Sequence, residues 1–197
     1  MTRSRDRSHF APIYSANQDP WGYHTSPYEH AKYDLTLAML GARRFTSGLE
    51  VGCSIGVLTR RLAMRCDRVL GIDFMAQPLA TARRHCAGLP SVRFATARVP
   101  DEWPSGPRDL IVLSEVLYFL TPVDIDRCVA KVARTLAPGG RVLLVNWLGM
   151  SGGDPTPGNA AARRFLAGSR GILRPLRHMR RADYRIDLLA SGAAGSG

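Results

Sequence analysis

Apolar residues between positions 45 and 190 alternate between short continuous runs and stretches with helical spacing. The run at 109–114 is unbroken, as expected of a central parallel strand that is buried on both faces. Helical spacing follows several of the runs, and an antiparallel hairpin is predicted at 176–190. The pattern therefore predicts a doubly wound α/β fold, with parallel strands at 44–51, 68–73, 92–96, 109–114 and 141–147.

The segment before residue 45 predicts a helical cap on this fold. Residues 1–9 are polar and basic and are expected to be frayed. Ser26 is a good N-cap, followed by Pro27 and then Glu29, which predicts a helix that ends near Gly41. We expect one domain of 197 residues, with the cap at 1–44, the core at 45–190 and a flexible tail at 191–197.

Composition limits the partners, metal sites and cellular compartment that are expected for this domain. The net charge is +11, but the arginines are spread along the chain rather than clustered among aromatic residues, so a nucleic-acid partner is not favoured. The four cysteines show no CxxC pairing, and they predict reduced thiols rather than a zinc site. An apolar run of membrane-spanning length and a signal peptide are both missing, which predicts a cytoplasmic protein without a membrane partner. The sequence leaves both a monomer and a homodimer open.

The first strand-to-helix turn, Glu50-Val-Gly-Cys-Ser-Ile-Gly56, carries two glycines where a dinucleotide loop carries three. Gly52 permits a tight turn, and Gly56 opens the next helix. Glu50 would suit a cation better than a pyrophosphate, and Asp73, at the end of the second strand, can accept hydrogen bonds from ribose hydroxyls. A ribose, a cation and no phosphates together indicate S-adenosyl-L-methionine, with S-adenosyl-L-homocysteine as its product.

Taken with these residues, the DLIVLSEVLYFL strand and the segment LAPGGRVLLVNW resemble class I S-adenosylmethionine-dependent methyltransferases. From residue 19 to about 190 the chain resembles the branch of the rhizobial nodulation N-methyltransferases, which act on an amino group of a chitooligosaccharide. The resemblance implies a Rossmann-like, mostly parallel sheet of seven strands with the last antiparallel. It also implies cofactor contacts from Glu50, Gly52, Cys53, Gly56, Asp73, Phe74, Ala97, Arg98 and Ser114.

The chain departs from the branch at one position, after the third strand. The branch places an aspartate there, toward the adenine amine, and this chain has Arg98. Backbone groups of Ala97 and Arg98 could still bracket the adenine, with Asp101 or Glu102 supplying the carboxylate.

Methyl transfer to an amine needs an aligned acceptor that has lost its proton. Glu115 and Tyr118 leave the fourth strand where the sulfonium is expected, and His24 is a possible proton acceptor. We also expect substrate contacts from Trp21, Tyr23, Tyr28, Asn146 and Trp147. Asp109 and Glu115 lie about 20 Å apart along one strand, so no metal site is predicted.

These features favour an N-methyltransferase of a small-molecule amine, such as an aminosugar or an aminoglycoside-like natural product in antibiotic biosynthesis. The basic charge opposes a cationic substrate, unless a local acidic pocket around Glu115, with Asp101 or Asp154, outweighs it. O-methylation of a hydroxylated metabolite, an RNA-binding methyltransferase and a non-catalytic cofactor-binding regulator remain as alternatives.

Overall fold

The computed structural model describes residues 3–149 and 154–192. Seven strands form one sheet, and β7 runs antiparallel to both of its neighbours, β5 and β6. The strands are β1 (Gly48–Val51), β2 (Val69–Asp73), β3 (Val92–Thr96), β4 (Arg108–Ser114), β5 (Leu136–Trp147), β6 (Leu173–Arg180) and β7 (Tyr184–Ser191). Their order across the sheet is β3-β2-β1-β4-β5-β7-β6, which confirms the predicted Rossmann-like fold with its last strand antiparallel.

Helices cover both faces of this sheet, as the unbroken apolar run of β4 requires. Leu110, Ile111, Val112 and Leu113 are all fully buried, and successive side chains enter two separate apolar clusters, one on each face. The helices are α1 (Arg7–Ala16), α2 (Pro27–Met39), α3 (Val57–Leu62), α4 (Ala76–His85), α5 (Pro122–Thr135) and α6 (Gly158–Gly168), with a short 3₁₀ turn at Leu117–Phe119.

The chain order places a topological switch between β1 and β4. From β1 the chain moves outward to β2 and β3, and it then returns to the other side of β1 as β4. The two crossovers that leave the carboxyl ends of β1 and β4 therefore diverge, and a crevice opens between them.

The local predictions for α2 and the hairpin are confirmed. Ser26 caps α2, with its hydroxyl accepting a hydrogen bond from the Glu29 amide at 3.3 Å. The β6–β7 pair is the predicted hairpin.

Two other local predictions are wrong. Residues 3–9 are not frayed, because α1 begins at Arg7 and the Arg5 amide donates to the Phe119 carbonyl at 2.8 Å. The fifth strand does not begin at residue 141, because β5 already begins at Leu136, opposite Arg108, and a register shift follows before Arg141 pairs with Leu110. Among the helices that the structure describes, none combines the length and the hydropathy of a membrane-spanning segment.

Candidate active site

A cavity of about 480 Å³ occupies the crevice at the carboxyl ends of the parallel strands. Its size is typical of small-molecule sites. The ends of β1 to β5 form its floor, and α1 and α2 with the segment between them form its roof. Eleven residues that the sequence singled out line it: Trp21, Tyr23, Tyr28, Gly52, Asp73, Phe74, Ala97, Arg98, Glu115, Tyr118 and Trp147.

Gly52 forms the turn that leaves β1. Its φ is +77°, in the left-handed region that favours glycine. A Cβ added there would lie 2.2 Å from Val116 Cγ2, so the segment that follows β4 leaves no room for a side chain at position 52. The turn directs the Gly52 and Cys53 amides back to the Ile72 carbonyl, which ties the β1 exit to the end of β2.

Asp73 presents a buried carboxylate to the cavity. Its Oδ2 accepts the Ser54 amide at 3.0 Å, and its Oδ1 accepts the Met75 amide at 2.9 Å. Burial raises the pKa of Asp73 to about 6, although both amide hydrogen bonds act to lower it. Each oxygen keeps a further lone pair, so the carboxylate can accept hydrogen bonds from both hydroxyls of a diol. Tyr14 adds a roof contact, because its hydroxyl lies 2.7 Å from Ser54 Oγ.

The sequence predicted that the Glu50 carboxylate would lie beside a cation in the site, but Glu50 lies outside the cavity lining. Its Oε2 accepts the Thr59 hydroxyl of α3 at 2.5 Å, and the residue is 2% exposed. Burial raises the pKa of Glu50 to about 8. The side chain therefore links β1 to α3 beneath the glycine turn.

The position of Arg98 is held by a carboxylate from the following turn. The Arg98 amide donates to Glu102 Oε2 at 2.7 Å, while Ala97 and Val99 line the cavity on either side. Asp101, the other carboxylate considered for this position, instead pairs with Arg127 at 2.5 Å on an exposed surface. Of the two, Glu102 is the one placed beside the backbone of residue 98.

Glu115 lies at the end of β4 and receives three hydrogen bonds. Lys32 Nζ donates to its Oε1 at 2.8 Å, while the Tyr118 hydroxyl and the Trp147 amide donate to its Oε2 at 3.0 and 2.8 Å. Its φ is +56°, which is uncommon for a residue with a side chain and is typical of functional turns. The three donors fix the side-chain carboxylate of a residue whose backbone has this uncommon conformation.

Lys32 connects Glu115 to a second carboxylate, Glu29. The Lys32 ammonium donates to Glu29 Oε1 at 3.0 Å, and Glu29 and Lys32 are only 8% and 3% exposed. Burial would lower the pKa of Lys32, but Glu115 and Glu29 together outweigh it and raise that pKa. Burial raises the pKa of Glu29 as well. The three side chains form a buried cluster with a formal charge of −1.

Aromatic rings surround this cluster. Trp21 stacks on Tyr23 with centroids 5.7 Å apart, and Trp147 meets Tyr118 edge-on at 6.3 Å. Tyr28 packs edge-on against Tyr184 while its ring faces the Lys32 ammonium at 5.2 Å. Burial raises the pKa of Tyr118 well above its usual value, so its phenol stays protonated and donates to Glu115.

Five other predicted site residues, besides Glu50, lie outside the cavity lining. The His24 ring packs against His85 with centroids 4.5 Å apart. Asn146 is fully buried, and its amide atoms find no hydrogen-bond partner among the described residues. Gly56 packs on Ala82 of α4. The remaining two residues, Cys53 and Ser114, are buried beneath the lining.

Several lining residues were not predicted from the sequence. Phe10 and Tyr14 come from α1, and Asp183 comes from the β6–β7 turn. Glu29 and Lys32 come from α2, whose buried residues recur as Glu29, Lys32, Tyr33, Thr36 and Met39. That helical spacing was the available signal, because it places two opposite charges on the face that packs against the core.

The part of the chain that the structure describes contains neither a cluster of metal ligands nor a disulfide. No group of three or more His, Cys, Asp or Glu side chains within residues 3–149 and 154–192 is placed to hold a metal ion. The four cysteines are free and buried.

Comparison with known proteins identifies the family. Residues 14–146 match the family described as nodulation protein S (NodS). NodS of Rhizobium tropici is 31% identical over 130 residues, which cover 65% of this chain and 55% of that protein. The chain thus spans little more than half the length of this curated relative.

Solved structures have the same fold. The N-methyltransferase NodS of Bradyrhizobium japonicum, in complex with S-adenosyl-L-homocysteine, superposes with a TM-score of 0.81 at 21% identity, over 93% of this chain and 97% of that chain. At that identity the likeness shows the fold alone. A Pseudomonas syringae protein assigned to the methyltransferases is 34% identical, with a TM-score of 0.72, over 83% of this chain and 98% of its own. The family match covers more than half of the sequence, and the chain belongs to the NodS family.

Proposed function

We propose that this protein is an S-adenosylmethionine-dependent N-methyltransferase whose acceptor is an amino group of an aminosugar or an aminoglycoside-like small molecule. Membership of the NodS family supports the reaction class. The observation that carries the choice of acceptor is a cavity with two distinct ends. Asp73 lies at one end, and the aromatic-lined cluster of Glu29, Lys32 and Glu115 lies at the other.

The first end fits the cofactor. Asp73 has lone pairs free for a ribose diol, and the Gly52 turn keeps side chains away from the β1 exit. Ala97, Arg98 and Val99 form an adjoining wall on which a base can lie. When bound, S-adenosylmethionine supplies the methyl group: the acceptor's ammonium first gives one proton to a carboxylate at the other end of the cavity, the freed nitrogen lone pair bonds to the methyl carbon, and the sulfur keeps the electrons of the broken bond as a neutral thioether.

The second end fits a cation despite the net charge of +11. Glu29, Glu115 and Asp183 line the cavity there with Lys32, and these four groups have a formal charge of −2, while Arg5, which also lines the cavity, is paired with Asp154. Charges beyond about 8 Å are largely screened at physiological salt, so these near groups dominate what the acceptor meets.

The aromatic wall favours a sugar ring over a flexible chain. Trp147 and Tyr118 stand beside Glu115, and the partly exposed ring of Tyr28 stands at the cavity mouth. Such rings pack on the apolar faces of sugars while the carboxylates bind the amino group. The rings also exclude water from the acceptor, which strengthens electrostatic contacts within the site.

The test is methyl transfer from labelled S-adenosylmethionine to aminoglycosides, chitosan oligomers, catechols and total RNA, offered separately. We expect label on the aminosugar nitrogens and no incorporation into chitosan oligomers that have first been N-acetylated. Label confined to catechols would identify an O-methyltransferase, and label confined to RNA would identify a nucleic-acid substrate. Either result would refute the proposal.

A further inference from the structure

The acceptor end of the cavity contains two carboxylates that are not equivalent. Glu115 is the more engaged of the two, because Lys32, Tyr118 and the Trp147 amide donate three hydrogen bonds to its two oxygens, and its one remaining lone pair is on the oxygen that already binds the Lys32 ammonium. An incoming amine would have to compete with these donors. Glu115 therefore serves best as a fixed anchor for Lys32.

Glu29 is only half engaged. Its Oε1 accepts the Lys32 ammonium, whereas its Oε2 is buried and has no hydrogen-bond partner among the described residues. A buried carboxylate oxygen without a donor is unfavourable, and each such group in a native structure calls for an explanation. Glu29 also lines the cavity and its side chain is 11% exposed, so a rotation of the carboxylate about its soft terminal torsion brings Oε2 to a ligand that supplies the missing donor.

We propose that Glu29 binds the acceptor's ammonium group through Oε2, and that the Lys32–Glu115 ion pair holds the Glu29 side chain in place. This inference rests on the proposed function, because it names the subsite that an amine acceptor would occupy. The charges agree with it: Glu29, Lys32 and Glu115 sum to −1, which one bound cation neutralises.

The neighbouring groups give this subsite its selectivity. An ammonium donates three hydrogen bonds and carries a charge, whereas an N-acetyl amide donates one and carries none. The Tyr28 ring, which already faces the Lys32 ammonium at 5.2 Å, offers a cation a second favourable surface. Hydrogen bonds to charged groups are worth enough to give about a 10- to 100-fold preference for the amine over its amide.

The experiment is calorimetric titration of the protein saturated with S-adenosylhomocysteine. The probes are matched pairs: glucosamine with N-acetylglucosamine, and fully deacetylated chitobiose with its diacetyl form. Glu29→Gln keeps the shape of the side chain and the oxygen that accepts from Lys32. It replaces Oε2, which would accept a hydrogen bond from the ligand, with an NH2 group that can only donate. Asp126→Asn is the control, because it removes the same charge from an exposed ion pair with Arg164.

We expect the wild-type protein and Asp126→Asn to prefer each amine by about 10-fold or more, and Glu29→Gln to lose that preference. S-adenosylhomocysteine affinity should be unchanged in all three, which also verifies folding. A Glu29→Gln protein that still prefers amines, or a wild-type protein with no preference, would overturn the inference.

The outcomes separate this inference from the proposed function. Transfer to oxygen, combined with a Glu29-dependent preference for amines, would refute N-methylation and leave the subsite standing. Transfer to nitrogen, with the amine preference intact in Glu29→Gln, would refute the subsite and leave the function standing.

Discussion

The buried cluster predicts that replacing Lys32 with methionine destabilises the whole fold. Lys32 Nζ lies 3.0 Å from Glu29 Oε1 and 2.8 Å from Glu115 Oε1, and its side chain is 4% exposed. At an effective dielectric constant of about 20, each contact is worth roughly 6 kcal/mol of Coulomb attraction, and the desolvation of the three charges offsets much of this gain. Methionine fills a similar volume but leaves two buried carboxylates without a counter-charge. Losing one partner of a buried pair lowers the free energy of unfolding by about 3–5 kcal/mol.

Urea unfolding at neutral pH with linear extrapolation measures this loss. Arg44→Met is the control, since Arg44 and Asp67 form an exposed pair with side chains 64% and 61% accessible, for which less than about 1 kcal/mol is expected. The double variant Lys32→Met/Glu115→Gln should recover part of the loss, because it removes one of the two orphaned charges. If Lys32→Met loses no more stability than Arg44→Met, the reasoning about a buried charge network is wrong.

Three further predictions concern the cofactor end. Burial raises the pKa of Asp73 to about 6, so S-adenosylhomocysteine should bind more tightly as pH rises from about 5 to about 7 and the carboxylate ionises; calorimetry should find this rise absent in Asp73→Asn, and a flat wild-type profile would contradict it. Gly52→Ala places a methyl group 2.2 Å from Val116 Cγ2 at a φ of +77°, so both Tm and cofactor affinity should fall, and adding Val116→Ala should restore only the steric part; an unchanged single variant would show that the turn is unconstrained. Burial raises the pKa of Glu50 to about 8, so the folded protein holds a proton that the unfolded chain releases, and the free energy of unfolding should fall by up to roughly 1.4 kcal/mol per pH unit as pH rises from about 6.5 to about 8. Urea unfolding across that range should show the slope disappear in Glu50→Gln, and an equal slope in both proteins would rule out Glu50 as its source.

The fold and the positions of Gly52 and Asp73 in the cavity lining could be predicted, because strand order and backbone conformation determine them. Gly52 is required by its own φ and by Val116 one strand away, and Asp73 reaches the cavity because carboxyl ends of neighbouring parallel strands share one edge. The capped start of α2 at Ser26 and the β6–β7 hairpin likewise depend on short-range patterns.

The acceptor end could not be predicted as well, because it depends on contacts between distant segments. Lys32 and Glu115 are 83 residues apart, and nothing local to either indicates that they meet. Helix α1 carries Pro12 and only two buried residues, Phe10 and Tyr14, so its apolar pattern was too weak to predict a helix. Glu50 has the expected position on β1, but its side chain turns to Thr59 because α3 offers a hydroxyl inside the core.

The central claim is that the methyl group is transferred to nitrogen. It is tested most directly by incubating the protein with S-adenosylmethionine labelled with ¹³C in the methyl group and an equimolar mixture of deacetylated chitobiose and catechol. Carbon NMR of the products distinguishes N-methyl from O-methyl carbons in one spectrum. The account predicts that the new signal is an N-methyl carbon on the sugar, and that Glu29→Gln reduces it. A new signal from an O-methyl carbon alone would contradict the account.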